Sequence, residues 1–304
     1  DSQMNILNQK KLQTFIDAVH DNKPVDGLTH PFYRYPARFS PRFVRAVINT
    51  FTNHGDIVYD PFMGGGTTLV EALALGRRAI GTDINSLAVF IAKVKTIRAT
   101  EWIQLGYQRN ISGRTTWPIR KILELALANI RSLPKPHQQN FIRCVLLRTA
   151  QWALDCRKEI PSAKEFRKQC IAFFEEMVEG ASELQQVIIK GVGESSAFDL
   201  AKPLCLNRSV VGIESDTRLK KYLSPRLILT SPPYPGVHVL YHRWQVNGRK
   251  ETPAPYWIAG SLDGNGASYY TFGDRKQEYL ENYFNQALNA YYSLSKIADK
   301  KTIL

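Results

Sequence analysis

Hydrophobic positions change period several times along this chain, and those changes divide it. Ile6, Leu7, Leu12, Phe15, Ile16 and Val19 recur at helical spacing, so a helix is expected over residues 5–20. A segment rich in aromatic, basic and proline residues follows, "THPFYRYPARFSPRF", and then "PRFVRAVINTF" reads as a helix with Pro41 in its first turn. The stretch "DIVYDPFMGGGTTLVEALALGRRAIGTDINSLAVFIAKVKT" alternates apolar run, glycine-rich turn, helix, apolar run, acidic turn and helix. That is a βαβα unit of the doubly wound type. From about 101 to 185 the pattern turns helical in three blocks, "TWPIRKILELALANIRSL", "HQQNFIRCVLLRTAQWALDCRK" and "SAKEFRKQCIAFFEEMVEGASEL". Strand-like runs then return in "QQVIIKGVGE", "RSVVGIES" and "RLILT"; "KQEYLENYFNQALNAYYSLSKIA" is an amphipathic helix, and "KKTIL" opens a further strand. The expected organisation is a doubly wound α/β core, residues 1–100 and 186–304, interrupted by a helical insertion at 101–185.

Composition narrows the setting. With 304 residues, 44% of them hydrophobic, a large core can be buried. No apolar run approaches the ~20 residues of a membrane span, and the first residues, "DSQMNILNQKKLQTF", lack a basic-then-apolar leader. Cys144, Cys156, Cys170 and Cys205 lie far apart, without zinc spacing, and read as reduced buried thiols of a cytosolic protein with no metal site. The formal net charge of +13 permits a polyanionic partner, and the excess is spread along the chain rather than gathered in a tail.

The glycine-rich turn is the first candidate for chemistry. Three glycines between an apolar run and a helix allow close backbone approach and leave helix N-terminal N–H groups free for a ligand. A phosphate-cradling P-loop needs Gly-Lys-Ser/Thr, but Gly66 is followed by Thr67 and Thr68, so ATP hydrolysis is not expected. The dinucleotide fingerprint is met only in part: Gly64 and Gly66 have the right spacing, and Leu69 stands where its last glycine belongs. About twenty residues on, "AIGTDIN" ends the second apolar run with Asp83. A carboxylate there can accept from both hydroxyls of a ribose, although a lone aspartate in that place more often caps a helix. The second candidate is "LILTSPPYPGVH", an apolar run that stops at two prolines, which cannot continue a ladder.

"DPFMGGGTT" and "TSPPY" together resemble the S-adenosylmethionine-dependent DNA amino-methyltransferases, and "HPFYRYPARFSP" is similar to their pre-cofactor element. The resemblance covers roughly residues 28–95 and 185–240 and implies a Rossmann-like methyltransferase core. It places Tyr35, Pro36 and Ala37 near the methionine end of the cofactor. Asp60, Pro61, Phe62, Gly64, Gly66, Thr67 and Thr68 would line its centre, with Asp83 on the ribose. The adenine-proximal acid is Glu194 or Asp216, with Glu194 preferred. The family continues beyond its Pro-Pro-Tyr helix into further strands, so the core is expected to lack its last strands here.

The resemblance assigns base chemistry to Ser231, Pro232, Pro233 and Tyr234. An exocyclic amine is a poor nucleophile because its lone pair is delocalised. Acceptors such as the Ser231 hydroxyl and the Pro232 carbonyl, the latter fixed in direction by the Pro-Pro step, draw it toward tetrahedral geometry. Tyr234 offers a face on which a base rotated out of the duplex can stack. Serine before Pro-Pro-Tyr resembles the cytosine-N4 class, and adenine N6 is the alternative. A guanine-N2 methyltransferase of RNA and a non-catalytic cofactor- or DNA-binding subunit remain further readings. His238, Tyr241, Arg243, Trp244 and Arg249 in the following segment suit phosphate contacts and insertion into the base stack. Arg109, Arg114, Arg120, Lys121, Arg131, Arg143 and Arg148 of the helical block either face DNA or form solvated helix surfaces. The partners implied are double-stranded DNA, a cognate restriction nuclease or additional subunit in a restriction-modification setting, and a second copy in a dimer. The implied place is the prokaryotic cytosol, with no membrane.

Overall fold

The computed structural model describes residues 9–21, 23, 25–36, 38–96, 118–192, 202–222, 224–233, 244–246, 250–252, 254–261, 272 and 277–304. Four strands form one parallel sheet: β1 (Ile57–Asp60), β2 (Arg78–Asp83), β3 (Leu204–Asn207) and β4 (Leu227–Ile228), in the order β3-β2-β1-β4. Asp60 pairs with Gly81, Asp83 with Asn207, and Tyr59 with Ile228, so the strands leave the sheet on one edge. Ile303 adds a single parallel bridge beside Leu227, where the sequence pattern expects a strand to open.

Alternation along each strand explains why both faces of the sheet are covered. Val58, Ala79, Cys205 and Leu227 point to one side. There they meet helices α2 (Pro41–Phe51), α3 (Thr67–Ala74) and α4 (Ser86–Lys95) through Val44, Ile48, Leu69, Leu73, Val89 and Ala92. Their neighbours Tyr59, Ile80, Leu206 and Ile228 point to the other side and meet Ala290, Leu294 and Ile297. Those three belong to the last helix, α9 (Gln277–Ile297). Helices on both faces of a parallel sheet make this the doubly wound α/β architecture.

The helical block forms a second core beside the sheet. Helices α5 (Pro118–Ile130), α6 (Pro136–Leu154) and α7 (Ala163–Val192) bury Ile122, Leu123, Phe141, Leu147, Phe166 and Met177 together. "QQVIIKGVGE" is not a strand through Val192: residues 185–192 continue α7, because Leu184 and Ile188 keep the helical period and pack against the α2–α3 layer. Helix α7 therefore crosses the expected boundary at 185–186 and serves both cores. "RSVVGIES" is turn and 3-10 helix (Ile213–Ser215), with Gly212 in the left-handed region. The strand in that part of the chain lies earlier, around Cys205, which the pattern reads only as buried packing. Of the thiols, Cys144, Cys170 and Cys205 are buried as expected, whereas Cys156 is exposed. Helix α1 (Gln9–Val19) follows its expectation over the described residues. The chain continues through a short hairpin, β5 (Trp244–Val246) with β6 (Lys250–Thr252), and α8 (Ala254–Ala259). No described helix is long and apolar enough to cross a membrane.

Two glycines of α7 separate packing from propensity. A Cβ at Gly180 would lie 2.2 Å from the Leu28 carbonyl oxygen, whereas one at Gly191 would meet nothing within 4 Å. Helix propensity favours alanine at either position by up to about 1 kcal/mol. Overpacking against backbone costs about 1–3 kcal/mol. Gly180→Ala is therefore expected to lower, and Gly191→Ala to raise, the midpoint of urea unfolding at unchanged slope.

Candidate functional site

The site is built where β1, β2 and β4 end. Asp60, the last residue of β1, is 2% exposed. Its Oδ1 accepts the Phe62 N–H at 3.1 Å. Burial pushes its carboxyl up to about 7, against the downward pull of the Thr68 hydroxyl and that N–H. The chain then turns through Met63, whose N–H donates to the Thr82 carbonyl at 3.0 Å, and closes with Gly66 N–H on the Met63 carbonyl at 2.8 Å. Gly64 and Gly66 have φ of +46° and +78°. A Cβ on Gly65 would stand 2.6 Å from the Tyr35 Cβ, and one on Gly66 2.9 Å from the Ala92 Cβ. The turn is thus pressed between two other segments and tolerates glycine alone. Thr67 and Thr68 open α3 directly behind it, so backbone donors of the helix N-terminus lie beside the turn.

Asp83 ends β2 and closes on the same turn. Its Oδ2 accepts the Gly64 N–H at 2.9 Å and its Oδ1 the Asn85 N–H at 2.8 Å. Burial raises its carboxyl to about 6 despite both bonds. Each oxygen keeps a second lone pair for a ligand hydroxyl. Asn85 then caps α4, accepting the Leu87 N–H at 2.9 Å, while its Nδ2 donates to the Tyr35 hydroxyl at 3.3 Å. Asn85 therefore joins the second strand's exit to the "YRYPARF" segment; its cap position after the acidic turn was the available sequence signal.

That segment is anchored from below by a buried charge group. His30 and Glu71 meet at 2.8 Å, both almost fully enclosed, and Arg45 Nε donates to the other Glu71 oxygen at 2.7 Å. The segment runs from His30 to Tyr35 and on past Arg38, whose guanidinium is half-buried. Neither His30 nor Glu71 was singled out from sequence, because forty-one residues separate them.

On the other side of β1, β4 ends in Thr230, Ser231, Pro232 and Pro233, all partly buried. The Leu229 N–H still pairs with the Tyr59 carbonyl at 2.9 Å, so Thr230 and Ser231 separate the ladder from the proline pair. The Pro233 carbonyl accepts the Tyr283 hydroxyl of α9 at 3.0 Å. Tyr283 packs on Phe272 (centroids 5.6 Å apart), and Phe272 packs edge-on to Phe62 at 5.6 Å. One chain of rings thereby ties the Asp-Pro-Phe turn to the proline exit. Phe272 and Tyr283 carried no motif and could not be found from sequence.

The other expected residues divide. Ala37, Glu194, Tyr234, His238, Tyr241, Arg243 and Arg249 lie outside the described residues, as do Arg109 and Arg114. Trp244 is a correction: expected to face nucleic acid, it is 2% exposed, and its indole N–H donates to the Tyr33 hydroxyl at 3.1 Å within the helical core. Asp216 is clamped by Arg208 at 2.9 Å and Arg218 at 2.6 Å, which hold its carboxyl well below the usual range. Several arginines of the helical block serve their own surface: Arg120 pairs with Glu124, Arg148 with Glu176, and Arg143 donates to the Ile258 carbonyl. Among the described residues no group of three or more acidic, histidine or cysteine side chains could hold a metal.

The donor set fits an adenosine-type cofactor. A glycine turn with no room for side chains, helix N-terminal N–H groups and a carboxylate at the next strand's exit are the features such a ligand needs.

Comparison with known proteins agrees with this geometry. Residues 4–94 match the model of the DNA methylase family, N6/N4 type. The type II methyltransferase M.MvaI of Kocuria varians is 46% identical over 108 residues, 31% of this chain and 24% of that protein. The type II methyltransferase M.MjaII of Methanocaldococcus jannaschii is 42% identical over 66 residues, 22% of this chain and 12% of that protein. The DNA adenine methyltransferase YhdJ of Escherichia coli is 38% identical over 91 residues, 30% of this chain and 26% of that protein. The matched stretch is thus about a quarter or less of each relative's length. The likeness to the N6/N4 DNA methylase family thus rests on segment 4–94, which holds the glycine turn, Tyr35 and Asp83.

Proposed function

We propose that this chain transfers a methyl group from S-adenosylmethionine to an exocyclic amino nitrogen of a base in DNA, cytosine N4 before adenine N6. The observation that carries the reading is the adjacency of three strand exits. The parallel pairing β2-β1-β4 sets Asp83, the glycine turn and Ser231-Pro232-Pro233 side by side on one edge of the sheet. An electrophilic cofactor over the turn and a base at the proline exit would then meet without any covalent enzyme intermediate, positioning being the main catalytic contribution. The bound sulfonium supplies the electrophilic methyl carbon. The protein's own part is to accept the ribose hydroxyls at Asp83 and to offer the turn's backbone to the ligand. At the base, fixed acceptors at Ser231 and Pro232 would take the amine N–H bonds.

Serine before Pro-Pro supports cytosine N4; the likeness to a protein named as a DNA adenine methyltransferase supports adenine N6. The amino group of a paired base lies inside the duplex, which supports flipping as part of the reaction. The formal charge of +13 suits a DNA partner. Incubation with S-adenosylmethionine and duplex DNA, followed by nucleoside mass spectrometry, tests the reading. N4-methylcytosine is expected. N6-methyladenine would move the specificity to the alternative, and neither product from a protein that binds cofactor would sink the catalytic reading.

The raised Asp83 carboxyl sets a pH dependence for cofactor binding. A ribose donates to the ionised form, so binding below pH about 6 requires loss of a proton. Affinity for S-adenosylhomocysteine should therefore rise with pH up to about 6 as this carboxyl ionises. Calorimetric titrations from pH 5 to 8 should show this slope, and Asp83→Asn should flatten it at lower affinity.

The ring chain yields a second expectation. Tyr283→Phe keeps the packing on Phe272 and deletes only the hydrogen bond to Pro233. Methyl transfer should fall about tenfold, as a loosened acceptor geometry costs. Cofactor affinity and melting temperature should stay near wild type; an unchanged rate would mean that Tyr283 does not hold the proline step in place.

A further inference from the structure

Lys95, the last residue of α4, is 1% exposed. An ammonium taken out of water unpaired costs several kcal/mol, so buried lysines are normally held by a carboxylate or by several acceptors. Among the described residues neither a hydrogen bond nor an ion pair reaches its Nζ. The acids of the neighbourhood are already engaged: Glu71 holds His30 and Arg45, while Asp60 and Asp83 take backbone N–H groups at the strand exits. The charged group that acts most on Lys95 is another cation, Arg38, and together with burial it lowers the ammonium to about 7. Cys144 gives no counter-charge, since burial pushes its thiol up to about 12. Burial likewise lowers His30, which leans it toward the neutral imidazole. The Lys95 Nζ lies 3.7 Å from where a Cβ on Gly65 would stand, against the glycine turn and under Tyr35. A cation is thus enclosed against the glycine turn, and among the described residues no carboxylate pairs with it.

We infer that Lys95 receives the α-carboxylate of the cofactor's amino-acid end. The inference rests on the S-adenosylmethionine reading of this site. An adenosine held at Asp83 leaves the amino-acid end for the turn, and the α-carboxylate is the one anionic group on that ligand. A DNA phosphate is disfavoured, because a duplex cannot approach an amine enclosed beneath Tyr35. The arrangement has a cost: without ligand the buried cation destabilises the fold, and the bound carboxylate offsets that loss.

Two ligands that differ in the amino-acid end separate the outcomes. S-Adenosylhomocysteine carries the carboxylate, and 5′-methylthioadenosine does not. In calorimetric titrations Lys95→Met is expected to weaken the first about 10- to 100-fold, the range of a charge-assisted pair, and to leave the second unchanged. The ligand-free variant should also melt above wild type, since an uncompensated buried charge has been removed. Lys95→Gln, which keeps a polar end, should shift binding the same way and serves if the methionine variant misfolds. Equal affinity of wild type and variant for S-adenosylhomocysteine would overturn the inference alone, and so would equal losses for both ligands or a loss confined to DNA affinity. Wild-type protein that bound neither ligand would overturn the cofactor reading and this inference together.

Discussion

Everything at this site depends on how little room the chain leaves around residues 64–66. The turn is pressed between Tyr35 on one side and Ala92 on the other, and Gly64 is bonded from in front by Asp83. A side chain at Gly65 or Gly66 would have to displace a Cβ carried by another segment. That cannot be relieved by a rotamer change, as it could be against the tip of a long side chain. Three segments far apart in sequence therefore hold one another in register. Moving the turn would move α4 through Ala92, the "YRYPARF" segment through Tyr35, and the end of β2 through Asp83. Pre-organisation of this kind is what a transfer reaction with a reactive cofactor requires, because misplacement by about 1 Å can cost about a hundredfold in rate.

The fold is legible in the sequence where chemistry and period coincide, and hidden where tertiary contacts decide. The unit from Ile57 to Lys95 was legible because apolar runs, glycines and an acidic turn follow one another at the spacing a parallel unit demands. Residues 185–192 misled because Val187, Ile188 and Ile189 are β-branched and followed by glycine. Their neighbours in α7 had already set a helical period, and burial of Leu184 and Ile188 against α2–α3 outweighs local propensity. Trp244 misled for another reason: an aromatic amid basic residues resembles a DNA contact, but its environment is set by Tyr33, some two hundred residues away. Tyr283 and Phe272 were invisible in the same way, since a ring on an amphipathic helix carries no sign of the carbonyl it will meet.

The titratable groups around the turn show that the site is held at some expense to the fold. Asp60 and Asp83, raised to about 7 and about 6, bind more protons folded than unfolded between about pH 4 and their folded values. Their contribution to stability is present below about pH 4 and is lost as pH rises through about 6 to 7. Lys95 works in the opposite sense. Lowered to about 7, it binds fewer protons folded than unfolded between that value and about 10, so its penalty is largest below about pH 7 and fades as pH rises. At neutral pH the ligand-free site thus holds partly ionised carboxyls and a partly ionised amine, each kept from water. A cofactor bearing hydroxyls for the carboxylate and a carboxylate for the amine would relieve both penalties at once.

The ring chain from Phe62 to Tyr283 gives this economy of contacts a second consequence. The glycine turn and the proline exit lie on adjacent strands, but the β1–β4 ladder ends at Leu229, before the proline step begins. Beyond it the backbone of Ser231-Pro232-Pro233 lacks strand partners, and two of its three residues have no N–H to offer. A contact from α9 is therefore needed to fix the step, and the Tyr283 hydroxyl provides one through the single group a proline can still present, its carbonyl. Because Tyr283 also rests through Phe272 on Phe62, an adjustment of the Asp-Pro-Phe turn is felt at the proline exit through packed rings as well as through the sheet. Two half-sites carried on separate strand exits are in this way held to one geometry by a helix that contributes to neither motif.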